Sequence, residues 1–363
     1  MRIGHFESLK PICPRCKIEQ QTVAPLNIAD IARQTKDTIL EGHLICSNSQ
    51  CQTVYPIIDG IPVIVHPVRK YFNDNFYHVT VRDDLSTLSE SILGDLAGPG
   101  AEFNSIRHYL SAYAFDHYGD QAPENEFGNQ QPGTKPGSVV NCLHAGFSII
   151  DNTISGPALD IGCAVGRSTF EVATRTGELT LGIDLNFSLL RLAQTVLLEG
   201  RVQFPLKRTG IVYDQHEFDV HMPNRNNVDF WACDASALPF DSEHFNFISA
   251  LNVLDTVNSP VAFLKSIDDA LATNGALLLS TPYDWSPPVP LQNWLGGHSQ
   301  YQTHKGNSET VLRQHLAPDQ KSPLNLKLTM TAEIEHHPWQ VRVHNRRTAT
   351  YDTHIIACKK RAG

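Results

Sequence analysis

The stretch ALDIGCAVGRSTFEVATRTGELTLGIDLN, residues 158–186, decides the fold of this 363-residue chain. Its first apolar residues predict a buried strand, and the segment RSTFEVAT predicts the next helix. Between them, Gly162 and Gly166 free the backbone to turn sharply. A second apolar run ends in Asp184, about 20 residues after the loop, where a nucleotide-binding α/β fold needs a partner for ribose hydroxyls. The sequence therefore predicts a strand, a glycine loop, a helix and a strand that together hold an adenosine group.

Three later segments continue the alternation of apolar strand and helix that a doubly wound sheet requires. Residues 228–240, VDFWACDASALPF, predict a strand that is followed by Asp234 and a turn. Residues 245–254, FNFISALNVL, predict a strand buried on both faces, with Asn252 at its carboxyl end. Residues 274–285, NGALLLSTPYDW, predict a turn and a fifth strand. We therefore expect an α/β fold with a mainly parallel central sheet.

In this order the motifs resemble those of class I S-adenosylmethionine (SAM) dependent methyltransferases. The loop spells GCAVG, and the chain offers no candidate for the GxGxxG of a dinucleotide-binding dehydrogenase. The resemblance covers about residues 157–285, and it implies a Rossmann-like, seven-stranded class I methyltransferase fold with SAM as cofactor. It also implies that Asp184 binds the ribose and that Asp234 accepts a hydrogen bond from the adenine amino group. The cofactor-binding residues that it suggests are Asp160, Gly162, Cys163, Gly166, Arg167, Asp184, Leu185, Asp234, Ala235 and Asn252.

Four of the eight cysteines form two close pairs near the N-terminus, CPRC at Cys13 and Cys16 and CSNSQC at Cys46 and Cys51. Two such turns can aim four thiolates at one tetrahedral zinc ion. The alternative is that these cysteines are small core residues, but their paired spacing favours a metal. We therefore predict a structural zinc site without a catalytic role, because four sulfur ligands leave no open position for chemistry.

Residues 54–65, VYPIIDGIPVIV, predict two short strands around an Asp-Gly turn. With the cysteine pairs, they resemble the Trm112-like zinc-ribbon family over about residues 9–66. Free-standing members of that family bind and stabilise methyltransferases, so the resemblance implies a built-in structural partner. We expect a zinc-ribbon domain at residues 1–68, a linker with an amphipathic helix covering the active site at residues 69–137, and a methyltransferase domain at residues 138–363.

Three segments outside these motifs carry weaker signals. Residues 103–118, FNSIRHYLSAYAFDHY, have apolar side chains at helical spacing and predict an amphipathic helix laid against the catalytic domain. Residues 119–137, rich in Gly, Pro, Asn and Gln, predict an exposed loop or lid. Residues 200–227 contain His216 and His221 among several acids. Their irregular spacing favours a solvated insertion over a metal site.

A narrower resemblance connects the chain with the mercaptohistidine N-methyltransferase domain at the C-terminus of ovothiol-synthesis enzymes. It rests on DIGCAVGRSTFEVA, ALNVLD, LLSTPYDW, NWLGG and HYLSAYAFDHYGD, and it extends over most of residues 105–358. It implies methyl transfer to an imidazole or amino-acid-type nitrogen of a small molecule. The chain departs from that family in the ribbon, in residues 200–227 and in the tail, so the identity of the acceptor stays open.

The tail predicts a terminal antiparallel hairpin with Trp339, Arg342, Arg346 and Arg347 near its turn. One of these guanidinium groups could clamp a carboxylate of the acceptor; the alternative is an ordinary exposed hairpin. The candidates for positioning or activating the acceptor are Tyr283, His117, Tyr118 and Arg346. Each of the aromatic candidates could equally be a packed side chain.

Composition narrows the function classes. A net charge of −9 and a pI of about 6.0 argue against a protein that grips nucleic acid. The chain has neither a long apolar run nor the apolar core of a signal peptide, so we expect a cytoplasmic protein without a membrane span. A methyltransferase of RNA or of a translation protein is the alternative, because Trm112-like partners serve such enzymes. A SAM-binding protein without turnover is the third possibility, and the oligomeric state is open.

Overall fold

The computed structural model describes residues 1–127, 133–150, 154–286, 289–317 and 323–362. The strands in these ranges are β1 (Leu26–Gln34), β2 (Ile39–Cys46), β3 (Val54–Ile58), β4 (Ile61–Ile64), β5 (Ala158–Ile161), β6 (Thr180–Asp184), β7 (Arg201–Thr209), β8 (Val212–Asp219), β9 (Val228–Cys233), β10 (Phe245–Leu251), β11 (Leu271–Thr281), β12 (Leu328–His344) and β13 (Arg347–Lys360). The α-helices are α1 (Ile3–Leu9), α2 (Val68–Thr80), α3 (Thr87–Ala97), α4 (Glu102–Tyr118), α5 (Ser138–Ser148), α6 (Arg167–Thr176), α7 (Phe187–Glu199), α8 (Pro260–Ala270) and α9 (Ser308–Leu316). None of these helices is long and apolar enough to cross a membrane.

Seven strands of the C-terminal part follow the order β9-β6-β5-β10-β11-β13-β12. The first five are parallel to one another, and β13 runs antiparallel between β11 and β12. Every residue of β5 and of β9 is buried, because helices cover both faces of a parallel sheet. The predicted Rossmann-like, seven-stranded α/β fold is confirmed.

The N-terminal strands extend this sheet and do not form a second one. Strands β1 to β4 make an antiparallel meander. Strand β4 then pairs in parallel with β9, so that Val63 lies beside Ala232 and Ile64 beside Cys233. The result is a continuous sheet of eleven strands. The boundary predicted at residue 68 therefore divides the sequence at a point where the sheet itself is unbroken.

Further contacts fasten the N-terminal part beside β9. The backbone N–H of Ile12 donates to the carbonyl of Pro239 at 2.8 Å. The ammonium group of Lys17 donates to the carbonyl of Phe240 at 2.8 Å and pairs with Asp269 at 2.9 Å. These bonds hold the segment just after β9, which contains the predicted adenine-binding carboxylate. The N-terminal part thus supports one wall of the predicted cofactor site.

The helix predicted at residues 103–118 is confirmed as α4, which packs against β7, β12, α5 and α7. It is not simply amphipathic, because polar residues such as Asn104 and Ser111 are buried while Tyr109 and Tyr113 are exposed. Near its middle, the hydroxyl of Ser111 accepts the backbone N–H of Lys207 at 2.8 Å. Near its end, the carboxylate of Asp116 accepts the backbone N–H groups of Ser138 and Val139 at 2.8 and 3.1 Å. These bonds cap α5. Helix α4 is therefore a fixed wall of the domain.

The prediction of a solvated insertion at residues 200–227 is wrong. Strands β7 and β8 form an antiparallel hairpin, and the side chains of Val202, Phe204 and Leu206 are buried on its inner face. Alternation of apolar residues in RVQFPL was the available signal for a strand. The polar residues around it concealed that signal. His216 lies on β8 and contacts Glu126 at 3.0 Å.

The predicted linker, residues 69–137, is largely helical. It contains most of α2 together with α3 and α4. The sequence predicts α4 but gives little signal for α2, whose buried side chains are Tyr71 and Val79 only. Within the predicted loop at 119–137, residues 128–132 lie outside the described residues.

Candidate active site

A cavity of about 900 Å³ opens at the carboxyl ends of β5, β6, β9 and β10. Ligands bind at this edge of open α/β sheets, where the strand order reverses. Its size is that of a small-molecule site. We call one side the cofactor half, which is lined by Gly162, Asp184, Leu185, Asp234, Ala235 and Asn252. The other side is the acceptor half, which is lined by Tyr109, Tyr113, Asp255, Asp284, Trp339 and Tyr351.

The glycine loop, residues 162–166, turns through conformations that favour glycine. Gly162 has φ +69° and Gly166 has φ +91°. A Cβ atom on Gly166 would lie 2.6 Å from the ring of Phe230 and 2.9 Å from Cβ of Ala193. The loop therefore needs glycine there both for backbone conformation and for close packing of α6 on the sheet.

Asp160 anchors this loop from inside the protein. One carboxylate oxygen accepts the hydroxyls of Ser168 and Thr169 at 2.6 and 2.8 Å, and the other accepts that of Ser249 at 2.7 Å. These three bonds join β5, α6 and β10 below the cavity. Asp160 is 1% exposed and does not line the cavity. The structure gives it a supporting function in place of the direct cofactor contact that the sequence suggested.

Three further predicted cofactor residues, Cys163, Gly166 and Arg167, also lie outside the cavity lining. The guanidinium of Arg167 is buried and fully engaged. It pairs with both carboxylate oxygens of Asp120 and with Glu171, and it donates to the carbonyl of His117 at 2.8 Å. Arg167 thus ties the start of α6 to the end of α4 and cannot also clamp a ligand.

Asp184 lines the cofactor half. Its carboxylate accepts the backbone N–H of Ala164 at 2.9 Å and that of Asn186 at 2.8 Å. The first of these bonds couples the end of β6 to the glycine loop. Burial raises the pKa of Asp184. Each carboxylate oxygen has a second lone pair and can accept one further hydrogen bond.

Asp234 and Asn252 occupy the neighbouring strand ends. One oxygen of Asp234 accepts the backbone N–H of Ser236 at 2.8 Å. Asn252 has φ +55°, donates its backbone N–H to the carbonyl of Ser280 at 2.9 Å, and accepts the Ser280 hydroxyl at 2.9 Å. Both side chains are fixed by local bonds and line the cofactor half.

The acceptor half is built from helix α4 and the hairpin of β12 and β13. Tyr109 and Tyr113 lie one turn apart on α4, and Trp339 lies beside Tyr351 across the hairpin. The sequence places the two tyrosines on an amphipathic helix, but it does not assign them to a ligand site. Asp255, four residues beyond β10, was also missed as a site residue. The signal available for it was its place just past the carboxyl end of a central strand.

His117 lies at the inner end of the cavity and is 4% exposed. Its Nδ1 accepts the backbone N–H of Arg167 at 3.3 Å. The neutral ring must therefore carry its proton on Nε2. Burial, and next the charge of Arg167, lower the pKa of His117 to about 3. It can donate a hydrogen bond into the cavity, but it is not suited to take up a proton at neutral pH.

Two of the predicted catalytic residues have structural functions. The hydroxyl of Tyr118 donates to the carbonyl of Val165 at 2.6 Å and lies outside the cavity lining. The hydroxyl of Tyr283 lies 2.7 Å from Nδ1 of His354, and Tyr283 is not among the residues that line the cavity. Both tyrosines are held by protein partners, so the structure does not support their assignment to the acceptor.

The predicted guanidinium clamp is not formed either. Arg346 and Arg347 are exposed at the hairpin turn, outside the cavity lining. Arg342 is 1% exposed and lies over the ring of Phe115, 5.4 Å from its centroid, also outside the lining. The hairpin contributes aromatic and apolar side chains to the cavity, among them Trp339, and no cation.

The four N-terminal cysteines come together as predicted. Their sulfur atoms all lie within 4.8 Å of one another, with Cys13 3.8 Å from Cys51 and Cys16 3.6 Å from Cys46. A tetrahedron of thiolates around zinc, with arms of about 2.3 Å, has edges of about 3.8 Å. Hydroxyl or N–H groups of Tyr55, Thr53 and Asn48 lie 3.1 to 3.6 Å from the four sulfurs. These neighbours suit a cluster of thiolates.

The lowered pKa of His117 makes a prediction about stability. The unfolded chain takes up a proton on this ring near pH 6.5, whereas the folded chain resists it down to about pH 3. Stability from the neutral ring is therefore present above pH 6.5 and lost as the pH falls toward 3. From pH 7 to pH 5, the wild type should lose about 2 kcal/mol more unfolding free energy than His117→Asn, which keeps an acceptor for Arg167 but does not titrate. Denaturant unfolding at both pH values measures this, and equal losses would contradict it.

Comparison with known proteins agrees with the geometry. Residues 143–316, slightly under half of the chain, match the family model described as a methyltransferase domain. Comparison with curated proteins gives no match.

Among solved structures, the chain is similar to phosphoethanolamine N-methyltransferase 2 of Haemonchus contortus in complex with SAM, at 20% identity and a TM-score of 0.32. The match covers 49% of this chain and 35% of that one, so the chain spans about a third of the length of that protein. It is also similar to a SAM-dependent methyltransferase of Methanosarcina mazei, at 18% identity over 57% of this chain and 93% of that one, with a TM-score of 0.37. The family model and the fold together show that the chain carries a class I SAM-dependent methyltransferase domain.

Proposed function

We propose that this methyltransferase transfers a methyl group to a nitrogen of a small molecule, of the imidazole or amino-acid type found in mercaptohistidine. The observation that carries the proposal is the acceptor half of the cavity, whose walls come from α4 and the terminal hairpin beside the ends of the central strands. A concave site of this size accommodates a small molecule better than a folded macromolecule. The narrower sequence resemblance points to the same acceptor class.

In this proposal the cofactor half holds SAM. Asp184 would accept the ribose hydroxyls, and Asp234 would accept the adenine amino group. Ala235 and Leu185 offer apolar surface beside it. The glycine loop brings backbone close to the ligand without side chains in the way. The residues present fit the cofactor, because both carboxylates face the cavity with free acceptor capacity.

SAM supplies an electrophilic methyl group on a sulfonium centre. The protein then has to hold the acceptor nitrogen in line with that methyl group, at about 3 Å, and exclude water. Helix α4 and the hairpin can do both, since the hydrogen bonds at Ser111 and Asp116 fix the helix. A neutral imidazole with a pKa near 6.5 is already a competent nucleophile at neutral pH. A dedicated base is therefore not required for that acceptor.

A methyltransferase acting on RNA or on a translation protein is the second candidate. The observation that favours it is the four-cysteine ribbon, which resembles partners of such enzymes and which joins the catalytic sheet through β4 and β9. The net charge of −9 weighs against RNA, because binding to a polyanion normally needs a basic surface.

We also propose that Cys13, Cys16, Cys46 and Cys51 bind one structural zinc ion. The wild-type chain should then purify with about one zinc per molecule. Cys16→Ser should lose most of the metal and unfold at lower temperature, because metal binding and folding are coupled in such ribbons. Cys142→Ser, at a buried cysteine of α5, is the matched control and should keep the zinc. Metal analysis and thermal unfolding decide the matter, and a metal-free wild type would contradict the assignment.

The cofactor assignment predicts a loss of affinity on changing Asp184. Asp184→Ala should weaken SAM binding by on the order of 2 to 4 kcal/mol, since two charge-assisted hydrogen bonds are lost. Asp219→Ala, at an exposed position on β8, changes the net charge equally and should leave affinity unaltered. Isothermal titration with SAM gives both values. Unchanged affinity in Asp184→Ala would show that the ribose lies elsewhere.

The acceptor class is tested by incubating the purified chain with labelled SAM and three kinds of substrate. These are a panel of histidine and mercaptohistidine derivatives, total RNA, and ribosomal protein. We expect an N-methylated small molecule, identified by mass spectrometry. Label found only in RNA or protein would favour the second candidate. SAM binding without transfer to any of the three would indicate a protein without turnover.

A further inference from the structure

In the described part of the chain, the carboxylates that line the cavity are not balanced by lysine or arginine side chains. Among its described lining residues there are five aspartates and neither a lysine nor an arginine. Asp116 is occupied in capping α5, and two others lie in the cofactor half. The two that remain, Asp255 and Asp284, face the acceptor half. An acceptor therefore meets negative charge that no described cation on the wall offsets.

Of these two aspartates, Asp255 is the more buried. It is 2% exposed, and one of its carboxylate oxygens accepts the backbone N–H of Asp284 at 2.7 Å. Neither aspartate forms an ion pair with any described residue. Burial, together with the neighbouring Asp284, raises the pKa of Asp255 to about 6. A buried carboxylate without a cation is costly, and a positively charged ligand would relieve that cost.

Aromatic rings complete the same part of the wall. Tyr109 and Tyr113 come from α4, and Trp339 and Tyr351 come from the hairpin. Asp255 and Asp284 line the same cavity as these rings. The faces of aromatic rings attract cations, and rings combined with carboxylates are a common means of holding an ammonium group. Two independent features of the acceptor half thus favour the same ligand charge.

We propose that the acceptor half selects a small molecule that has an amine or imidazole nitrogen and no carboxylate, and that Asp255 is a catalytic residue facing the accepting nitrogen. This rests on the proposed methyl transfer to nitrogen and narrows its substrate class to amines and imidazoles that lack the carboxylate of histidine and mercaptohistidine. The guanidinium groups predicted to hold an acceptor carboxylate lie elsewhere, so such a carboxylate would stand unpaired beside Asp255.

The chemistry of methyl transfer to nitrogen explains why a carboxylate would stand at the position of Asp255. A ligand that binds as an ammonium first loses one proton to water, because the accepting nitrogen needs a free lone pair. That lone pair forms the new N–C bond, the S–C bond breaks, and sulfur keeps the bonding electron pair. Positive charge therefore moves from sulfur to nitrogen. A fixed carboxylate beside the nitrogen stabilises that charge as it develops. A methylated amine nitrogen then gives a proton to the Asp255 carboxylate or to water, whereas a methylated imidazole gives up the proton of its other ring nitrogen, and no further reactant is needed.

The test uses paired probes that share a ring and differ in charge. Histamine and imidazole-4-acetate are titrated into the full-length protein saturated with S-adenosylhomocysteine, as are tyramine and 4-hydroxyphenylacetate. We expect each amine to bind more tightly than its matched carboxylate by about tenfold or more. Equal or tighter binding of the carboxylates overturns the charge selection, as does failure of both amines to bind at millimolar concentration.

Two variants separate charge from structure. Asp255→Asn keeps an oxygen for the Asp284 N–H but removes the charge, and it should abolish the amine preference while leaving S-adenosylhomocysteine affinity unaltered. Asp95→Asn, at an exposed position on α3, is the control and should keep the preference. An amine preference that persists in Asp255→Asn overturns the assignment of this residue.

Failure of this inference can be distinguished from failure of the proposed nitrogen methylation. Methylation of carboxylate-bearing histidine derivatives with no dependence on Asp255 would leave nitrogen methylation standing and remove the present inference. Amine selection with methyl transfer only to oxygen or sulfur would remove the proposed nitrogen methylation and the catalytic assignment of Asp255, and would leave only the charge selection of the cavity standing.

Discussion

The carboxylate of Asp160 is the interaction on which the site depends. Three hydroxyl groups, from α6 and β10, close on its two oxygens beneath the glycine loop. A charge at this depth would be costly without such donors, so the residues around it are not interchangeable with apolar ones. Because the same carboxylate joins two neighbouring strands and the helix that follows the loop, it sets where the loop stands relative to the strand ends. The hydrogen bonds of Asp160 therefore determine the shape of the cavity floor.

The wall opposite the cofactor half is fixed by a different set of bonds. Helix α4 is held at its end by the cap of α5 and by Arg167, whose guanidinium joins it to α6. These contacts engage the buried guanidinium of Arg167, and the backbone N–H of Arg167 holds His117 as a neutral ring in the cavity wall. The structure thus separates residues that carry the architecture from residues that face the ligand, although both kinds are charged or polar.

Much of the fold and part of the site follow from local patterns in the sequence. Asp184 and Asp234 can be located because each stands at the end of an apolar strand, and the cysteine pairs can be recognised by their spacing. What could not be predicted depends on contacts between distant segments. Tyr283 and Tyr118 find protein partners far along the chain. Asp255 meets the aromatic rings of α4 and of the hairpin only once the sheet has formed. No local sequence pattern predicts which of these side chains line the cavity and which bind other parts of the protein.

The pairing of β4 with β9 has a consequence for how this protein can be divided. Strand β9 is buried along its whole length, and β4 covers the edge that it would otherwise expose. A chain cut after residue 68 would present an apolar parallel strand with unpaired backbone groups to solvent, which is a template for aggregation. The small N-terminal segment therefore protects the edge of the catalytic sheet. A methyltransferase with this sheet needs a strand that pairs with β9, either in the same chain or supplied by another chain.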